Sequence, residues 1–282
     1  MDNAAFVQGF DRIIDDALFW LSDHAAFLFD FFRAMLEGLY EGVLWLVMLA
    51  PAYAVAAIMG LIGWRLIGPA FGALTAAALV FCALMGLWPE TMETLALVIA
   101  ASVIALAISL PIGAIAGLVP WLDRALTPAL DLIQTLPPYI YLLPAIALLG
   151  YGPATALVAT VIVAVPPAIR LTALGIRQTP REFIELGQAV GVSPLQMFLK
   201  IRLPFAVPSI MAGINQSLMM AFGMVVIAGI VGSGGLGETI YGAIRTLDIA
   251  TSINASIAIV ILTMMLDRLT QSAAAGRPGD RT

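Results

Sequence analysis

One lysine, one histidine and one cysteine are all of those residue types that 282 residues contain. Lys200 follows Leu199, so no Gly-Lys-Ser/Thr phosphate loop exists and the chain does not bind ATP in that way. His24 alone supports neither a histidine-paired nucleophile nor a histidine metal cluster. Cys82 alone excludes an internal disulfide, and its apolar surroundings read as a small buried hydrophobe. Charge is scarce too: 11% of residues are charged, where a soluble domain carries roughly 25%. Most carboxylates flank apolar runs; Asp131, two turns from Arg124 near an interface, comes nearest to an exception. No catalytic site, cofactor or metal is expected, and nucleic acid is not an expected partner.

Apolar residues are what the chain has in abundance. They make up 61% of it, and the mean hydropathy is +1.01. Crossing a hydrocarbon core of roughly 30 Å takes about 20 apolar residues. Seven stretches qualify: Val43–Trp64, Pro69–Trp88, Thr94–Leu118, Pro128–Leu149, Ala154–Ile176, Val207–Val231 and Thr251–Leu266. Backbone groups in lipid must bond within their own segment. The expected fold is therefore all-α, a polytopic transmembrane helical bundle of about seven spans with an N-terminal amphipathic region. The expected divisions are 1–42 (amphipathic, periplasmic side), 43–92 (peripheral helices), 93–270 (core domain, with a cytoplasmic loop at 180–204) and 271–282 (cytoplasmic tail).

Basic residues set the expected orientation. With the loop at 180–204 in the cytoplasm, Arg65, Arg124, Arg170, Arg177, Arg181, Lys200, Arg202, Arg268, Arg277 and Arg281 lie inside, and only Arg12, Arg33 and Arg245 outside. The acids gather outside, which reconciles the net charge of −5 with this asymmetry. An odd number of spans then puts the N-terminus outside and the C-terminus inside. The acidic, lysine-free N-terminus lacks the basic region of a cleavable signal.

Between Met1 and Gly42, Leu28, Phe31, Phe32, Met35, Leu36 and Leu39 form a helical stripe with Asp30, Arg33 and Glu37 opposite. Phe6, Phe10, Ile13, Ile14, Ala17, Leu18 and Leu21 repeat the pattern less cleanly. Two readings stand: helices lying on the outer leaflet, or a helix packed on the outer face of the bundle. In the third span, Pro111 and the Gly113-x3-Gly117 pair read as close helix packing, with a gating hinge as the alternative. The fourth span holds Pro137-Pro138 and Pro144, flanked by Gln134, Thr135, Tyr139 and Tyr141. Broken helices are tolerated in membranes where they are buried in protein or line a water-filled cavity, so this reads as a pathway-lining element; a kinked packing helix is the alternative. Its tyrosines suit a quaternary ammonium group through cation–π attraction, although tyrosines also gather at interfaces. Asn215 and Gln216 in the sixth span either line the pathway or bond neighbouring helices. Gly232–Gly237, GSGGLG, formally matches G-x-G-x-x-G, but no βαβ unit surrounds it. It reads as a flexible outer turn before a short helix, Glu238 to Thr246, able to face a partner on the outer side.

The polar stretch Glu185–Pro204, ELGQAVGVSPLQMFLKIRLP, stands between two apolar segments. Its spacing predicts a short helix ended at Gly191 and restarted by Ser193 as N-cap with Pro194 in the first turn. The second helix is expected to run to Arg202 and stop at Leu203-Pro204.

Glu185, Gly191, Ile201 and Leu203-Pro204 resemble the EAA loop of ABC importer permeases, with Leu186 and Gly187 where that motif has alanines. Gln134–Gly152, Pro166–Ile176, Met211–Met219 and Val231–Ile240 resemble the glycine betaine/proline type of such permeases. The resemblance implies a translocation subunit, paired as two copies, with two cytoplasmic ATPases seated on the loops and a periplasmic binding protein delivering a compatible solute. Glycine betaine, proline betaine, choline and carnitine are the implied solutes. Glu185 would sit on the docking helix, Gly191 would make its turn, and Ile201, Leu203 and Pro204 would anchor the loop to the sixth span. A self-contained, ion-coupled carrier of a small polar solute is the competing class. It would have no need of the elbow at 185–204.

Overall fold

The computed structural model describes Arg12, Asp16, Trp20, Leu21 and residues 23–274. The earlier amphipathic pattern from Phe6 to Leu18 and the tail beyond 274 lie outside the described residues. Within them the chain is helical throughout: α1 (Ala26–Met48), α2 (Ala52–Leu66), α3 (Pro69–Leu84), α4 (Trp88–Leu118), α5 (Pro120–Thr135), α6 (Tyr139–Leu149), α7 (Pro153–Arg177), α8 (Arg181–Ala189), α9 (Pro194–Val231), α10 (Gly235–Thr246) and α11 (Ile249–Ala274).

Four helices are long and apolar enough to cross a membrane alone: α4 (31 residues), α7 (25), α9 (38) and α11. Two bent pairs are apolar enough when taken together, each either a broken span or a re-entrant loop. α1 meets α2 at 89° and α5 meets α6 at 97°. α3, with 16 residues, is the remaining apolar helix. Both bends follow from proline, which lacks an N–H and disfavours helical backbone in the residue before it. Pro137-Pro138 was expected to break its span. The break at Pro51, whose ψ is 149°, falls inside Val43–Trp64, the stretch expected to be a single span. The helix that carries the amphipathic stripe runs on past Gly42 to Met48.

At the centre, α4, α7 and α9 pack side by side. Small residues make this possible, since they let helix axes approach where lipid supplies no hydrophobic drive. A Cβ at Gly113 would stand 2.8 Å from the Ile169 carbonyl and one at Gly117 2.8 Å from Ile176 Cβ, so this pair is the close-packing surface of α4 on α7. Gly175 of α7 meets Ala206 and Ser209 of α9 in the same way, and Ser217 Oγ donates to the Ala164 carbonyl at 2.7 Å. α2 and α3 form a second close pair, in which a Cβ on Gly72 would come within 2.5 Å of the Gly60 carbonyl. Cys82 is buried as expected.

α1 packs on the bundle through Leu36 and Tyr40, while Arg33, paired with Glu37 at 2.9 Å, lies over the α6–α7 turn. Leu36 apart, its stripe points away: Leu28 is 50%, Phe31 57% and Met35 51% exposed. The helix therefore both rests on the bundle and offers an apolar face outward.

Candidate coupling loop and translocation path

The 181–204 segment is built as two short helical units clasped together. α8 ends in a pair of reversed bonds, Gly191 N–H to the Gln188 carbonyl (3.0 Å) and Val192 N–H to the Gly187 carbonyl (3.1 Å), with Gly191 at φ +76°. Such an ending needs a left-handed residue, which glycine supplies without a Cβ penalty. α9 then opens with a reciprocal cap: the Gln196 N–H donates to Ser193 Oγ (3.3 Å) and the Ser193 N–H to Gln196 Oε1 (3.0 Å), with Pro194 in the first turn. Both features follow the sequence expectation.

The expected stop at Leu203-Pro204 does not occur. Met197–Arg202 winds as a π segment, and the Leu203 N–H donates to the Phe198 carbonyl five residues back. That wider turn accommodates Pro204, which has no N–H of its own to place, and the helix continues to Val231. The second half of the loop is thus continuous with a membrane helix.

Gly187, one of the two departures from the alanine pattern, is buried under Ile201 and Met197. Phe183 stacks obliquely on Phe205, ring centroids 4.8 Å apart, and fixes α8 to the root of α9. Leu203 is half-buried and Pro204 exposed along that root. Glu185 and Leu186 point outward, Leu186 61% exposed. Val190 (73%), Leu195 (66%) and Leu199 are exposed beside them. An apolar face in the most polar loop of the chain was not drawn from the sequence. Its signal was present as leucine and valine recurring where solvation alone would select polar residues.

At the α5–α6 elbow the two prolines cost the helix two donors. The Ile133 carbonyl would accept from residue 137, and there Tyr141 Oη donates instead, at 2.8 Å. Tyr141 is accordingly a strut across the bend. Thr135 turns back to the Leu132 carbonyl (3.1 Å). Gln134, Thr135, Pro137 and Tyr139 are exposed, and Pro138 is half-buried. Two ion pairs, Asp131–Arg170 and Asp123–Arg177, tie α5 to α7. Asn215 accepts from Thr270 Oγ1 of α11 at 3.3 Å, a bond between helices, while the adjacent Gln216 is exposed. The structure therefore gathers Gln134 to Tyr141 at one elbow and sets Asn215 against the last helix.

The turn expected to be flexible, Gly232–Gly237, is tightly packed, and α10 begins at Gly235 rather than at Glu238. A Cβ on Gly229 would fall 2.1 Å from Gly237 C, so the chain doubles back on itself backbone to backbone. The N–H of Gly235 donates to Glu93 Oε2 (2.6 Å), that of Gly234 to Glu238 Oε2 (2.8 Å) and that of Leu236 to Thr94 Oγ1 (2.8 Å). The glycines serve close approach. At the other end of α10, Asp248 accepts from the Thr251 N–H (3.1 Å) and hydroxyl (2.7 Å), bonds that hold its carboxyl below the usual carboxylate range.

An all-helical bundle of long apolar helices, with an exposed helical loop joined to a core helix, has the build of a polytopic membrane protein. The chain belongs to the binding-protein-dependent transport system inner membrane component family, whose profile matches residues 109–274. It is 39% identical over 262 residues to the glycine betaine/proline betaine transport system permease protein ProW of Escherichia coli K12, covering 93% of this chain and 74% of that one. With the glycine betaine transport system permease protein OpuAB of Bacillus subtilis 168 it shares 37% identity over 260 residues, 92% of each. Among solved structures, an inward-facing form of the MetNI methionine ABC transporter aligns with a TM-score of 0.55 at 25% identity, over 64% of this chain and 89% of that one.

Proposed function

We propose that two copies of this chain form the membrane pathway of an ATP-driven importer for a quaternary ammonium compatible solute: glycine betaine, proline betaine, choline or carnitine. Two cytoplasmic ATPases seat on the two 181–204 loops, and a periplasmic binding protein delivers the solute. ATP is hydrolysed by those partners. The chain crosses a bacterial inner membrane with its N-terminus periplasmic and its C-terminus cytoplasmic. The names of the relatives support the solute class, and the basic-residue asymmetry supports the orientation.

One observation carries this reading: the loop is a stiff, outward-facing pair of helical units continuous with α9. A stand-alone carrier has no use for such a handle. Force on Glu185 and Leu186 passes through Gly187–Ile201 and Phe183–Phe205 into α9, and along the glycine-mediated contacts into α7. The two ion pairs carry it from α7 to α5 and so to the elbow beside Gln134, Thr135 and Tyr139. ATPase closure would bring the two handles together and turn the pathway outward.

Uptake of radiolabelled glycine betaine by cells or vesicles holding ATP but no proton or sodium gradient tests the mechanism. Persistence of uptake is the expected result. Abolition by gradient collapse alone, with ATP intact, identifies a secondary carrier and overturns the proposal.

A further inference from the structure

A groove of about 400 Å³ opens between α3 and α11, within the range of small-ligand pockets (roughly 300–1,000 Å³). Phe71, Leu74 and Ala78 line one wall, Ile261 and Met264 the other. α3 packs closely along α2 but only lightly against α11, which leaves the groove unfilled. Its walls are apolar save for the buried Thr75 and for Arg268, the one charged residue that lines it. Among the described residues Arg268 forms no ion pair, since the neighbouring Asp267 accepts instead from Gln271 at 2.8 Å. One turn further along α11, Ser272 Oγ donates to the Leu66 carbonyl at 2.8 Å. That bond sets Arg268 at the level of the α2–α3 turn, beside which stands the exposed Arg65.

We propose that this groove binds one anionic phospholipid of the surrounding bilayer, its acyl chain between α3 and α11 and its phosphate against Arg268. The chemistry of the walls selects such a ligand. A hydrocarbon chain matches the apolar sides, and among lipid headgroups a net negative one pairs best with the exposed guanidinium of Arg268. A zwitterionic lipid fills the groove equally well but brings its own positive charge to Arg268.

Native mass spectrometry of the full-length protein, purified in detergent, tests this with phosphatidylglycerol and phosphatidylcholine of identical acyl chains. Phosphatidylglycerol is expected to bind about fivefold more tightly, the worth of one arginine near a lipid surface. Arg268→Gln is expected to abolish that preference while leaving phosphatidylcholine binding unchanged. Ala78→Trp, which fills the groove, is expected to remove the preferential site with Arg268 intact. Helical circular dichroism confirms that each variant is folded, and Ala78→Leu provides a milder filling where tryptophan is not tolerated. Equal binding of the two lipids by the parent protein overturns the proposal. So does a preference that survives either the Arg268 or the filling substitutions, and so does a filled groove that changes only the number of protein copies in the complex.

Discussion

Ile201 Cδ1 lies 2.6 Å from the point where a Cβ on Gly187 would stand. Met197 Cε is 2.8 Å from the same point and Val192 Cγ2 3.2 Å. Three side chains thus close on a residue that has none, and this is where the two helical parts of the loop touch. The neighbours at closest range are flexible tips, so Gly187→Ala displaces them cheaply and regains about 1 kcal/mol of helix propensity. The expected outcome is an unchanged or slightly raised melting temperature with ATP-dependent uptake intact. Gly187→Leu instead drives α8 off α9, and uptake is expected to fall at least tenfold with normal membrane levels by immunoblot.

Gly191 presents a different constraint. Nothing lies within 4 Å of its missing Cβ, yet its φ is +76°. A side chain there meets strain of about 1–2 kcal/mol and no clash. Asparagine and aspartate bear that conformation best among the other residues. Gly191→Asn is therefore expected to retain most uptake. Gly191→Asp, equal in shape, adds a negative charge to the tip of the handle and is expected to remain in the membrane while ATP hydrolysis proceeds without uptake. Normal uptake by the aspartate variant counts against the coupling role.

Glu185 is exposed and engages no described residue in an ion pair, so its charge is available to a partner. Glu185→Lys is expected to leave thermal stability within about 0.5 kcal/mol of the parent, as surface changes do. The same variant is expected to reduce the amount of ATPase that co-purifies with the permease. An unchanged yield of ATPase argues that the docking contact lies in the apolar face, at Leu186 and Val190, and not in the carboxylate.

The handle was legible in the chain because its signals are local. A glycine at a helix end, a Ser-Pro restart and a glutamine three residues after the serine each act within one turn. What escaped was non-local or depended on small departures from regular winding. The π segment at Met197–Arg202 resolves a conflict that sequence spacing presents as a stop. Pro51 lies in an apolar run long enough to span, yet the chain bends by 89° there. The glycines of 229–237 read as freedom when isolated from their neighbours. Only the approach of Glu93 and Thr94, 142 residues away in sequence, shows them to be a close-packed seam. Asn215, left between two roles by its sequence, meets Thr270 from a helix whose position no local pattern announces.

The α5–α6 elbow allows a test that separates bending from simple loss of a contact. Pro137 removes the N–H that the Ile133 carbonyl would accept, and Tyr141 Oη replaces it at 2.8 Å. Tyr141→Phe leaves that carbonyl unsatisfied and is expected to lower stability by about 1–3 kcal/mol if it stays shielded from water, less if water reaches it. Uptake is expected to decline with it, because the 97° bend loses its strut. Pro137→Ala restores a backbone donor. In the double variant, the tyrosine substitution is then expected to cost less than it does alone, a coupling above about 0.5 kcal/mol in a double-mutant cycle of thermal unfolding. Strict additivity would mean that the hydroxyl and the missing N–H do not serve the same carbonyl, and that the bend is held by packing around Pro144 and Leu142 instead. The elbow and the handle then separate cleanly: Tyr141→Phe should impair uptake while the ATPase still co-purifies, since α8 and the root of α9 are untouched.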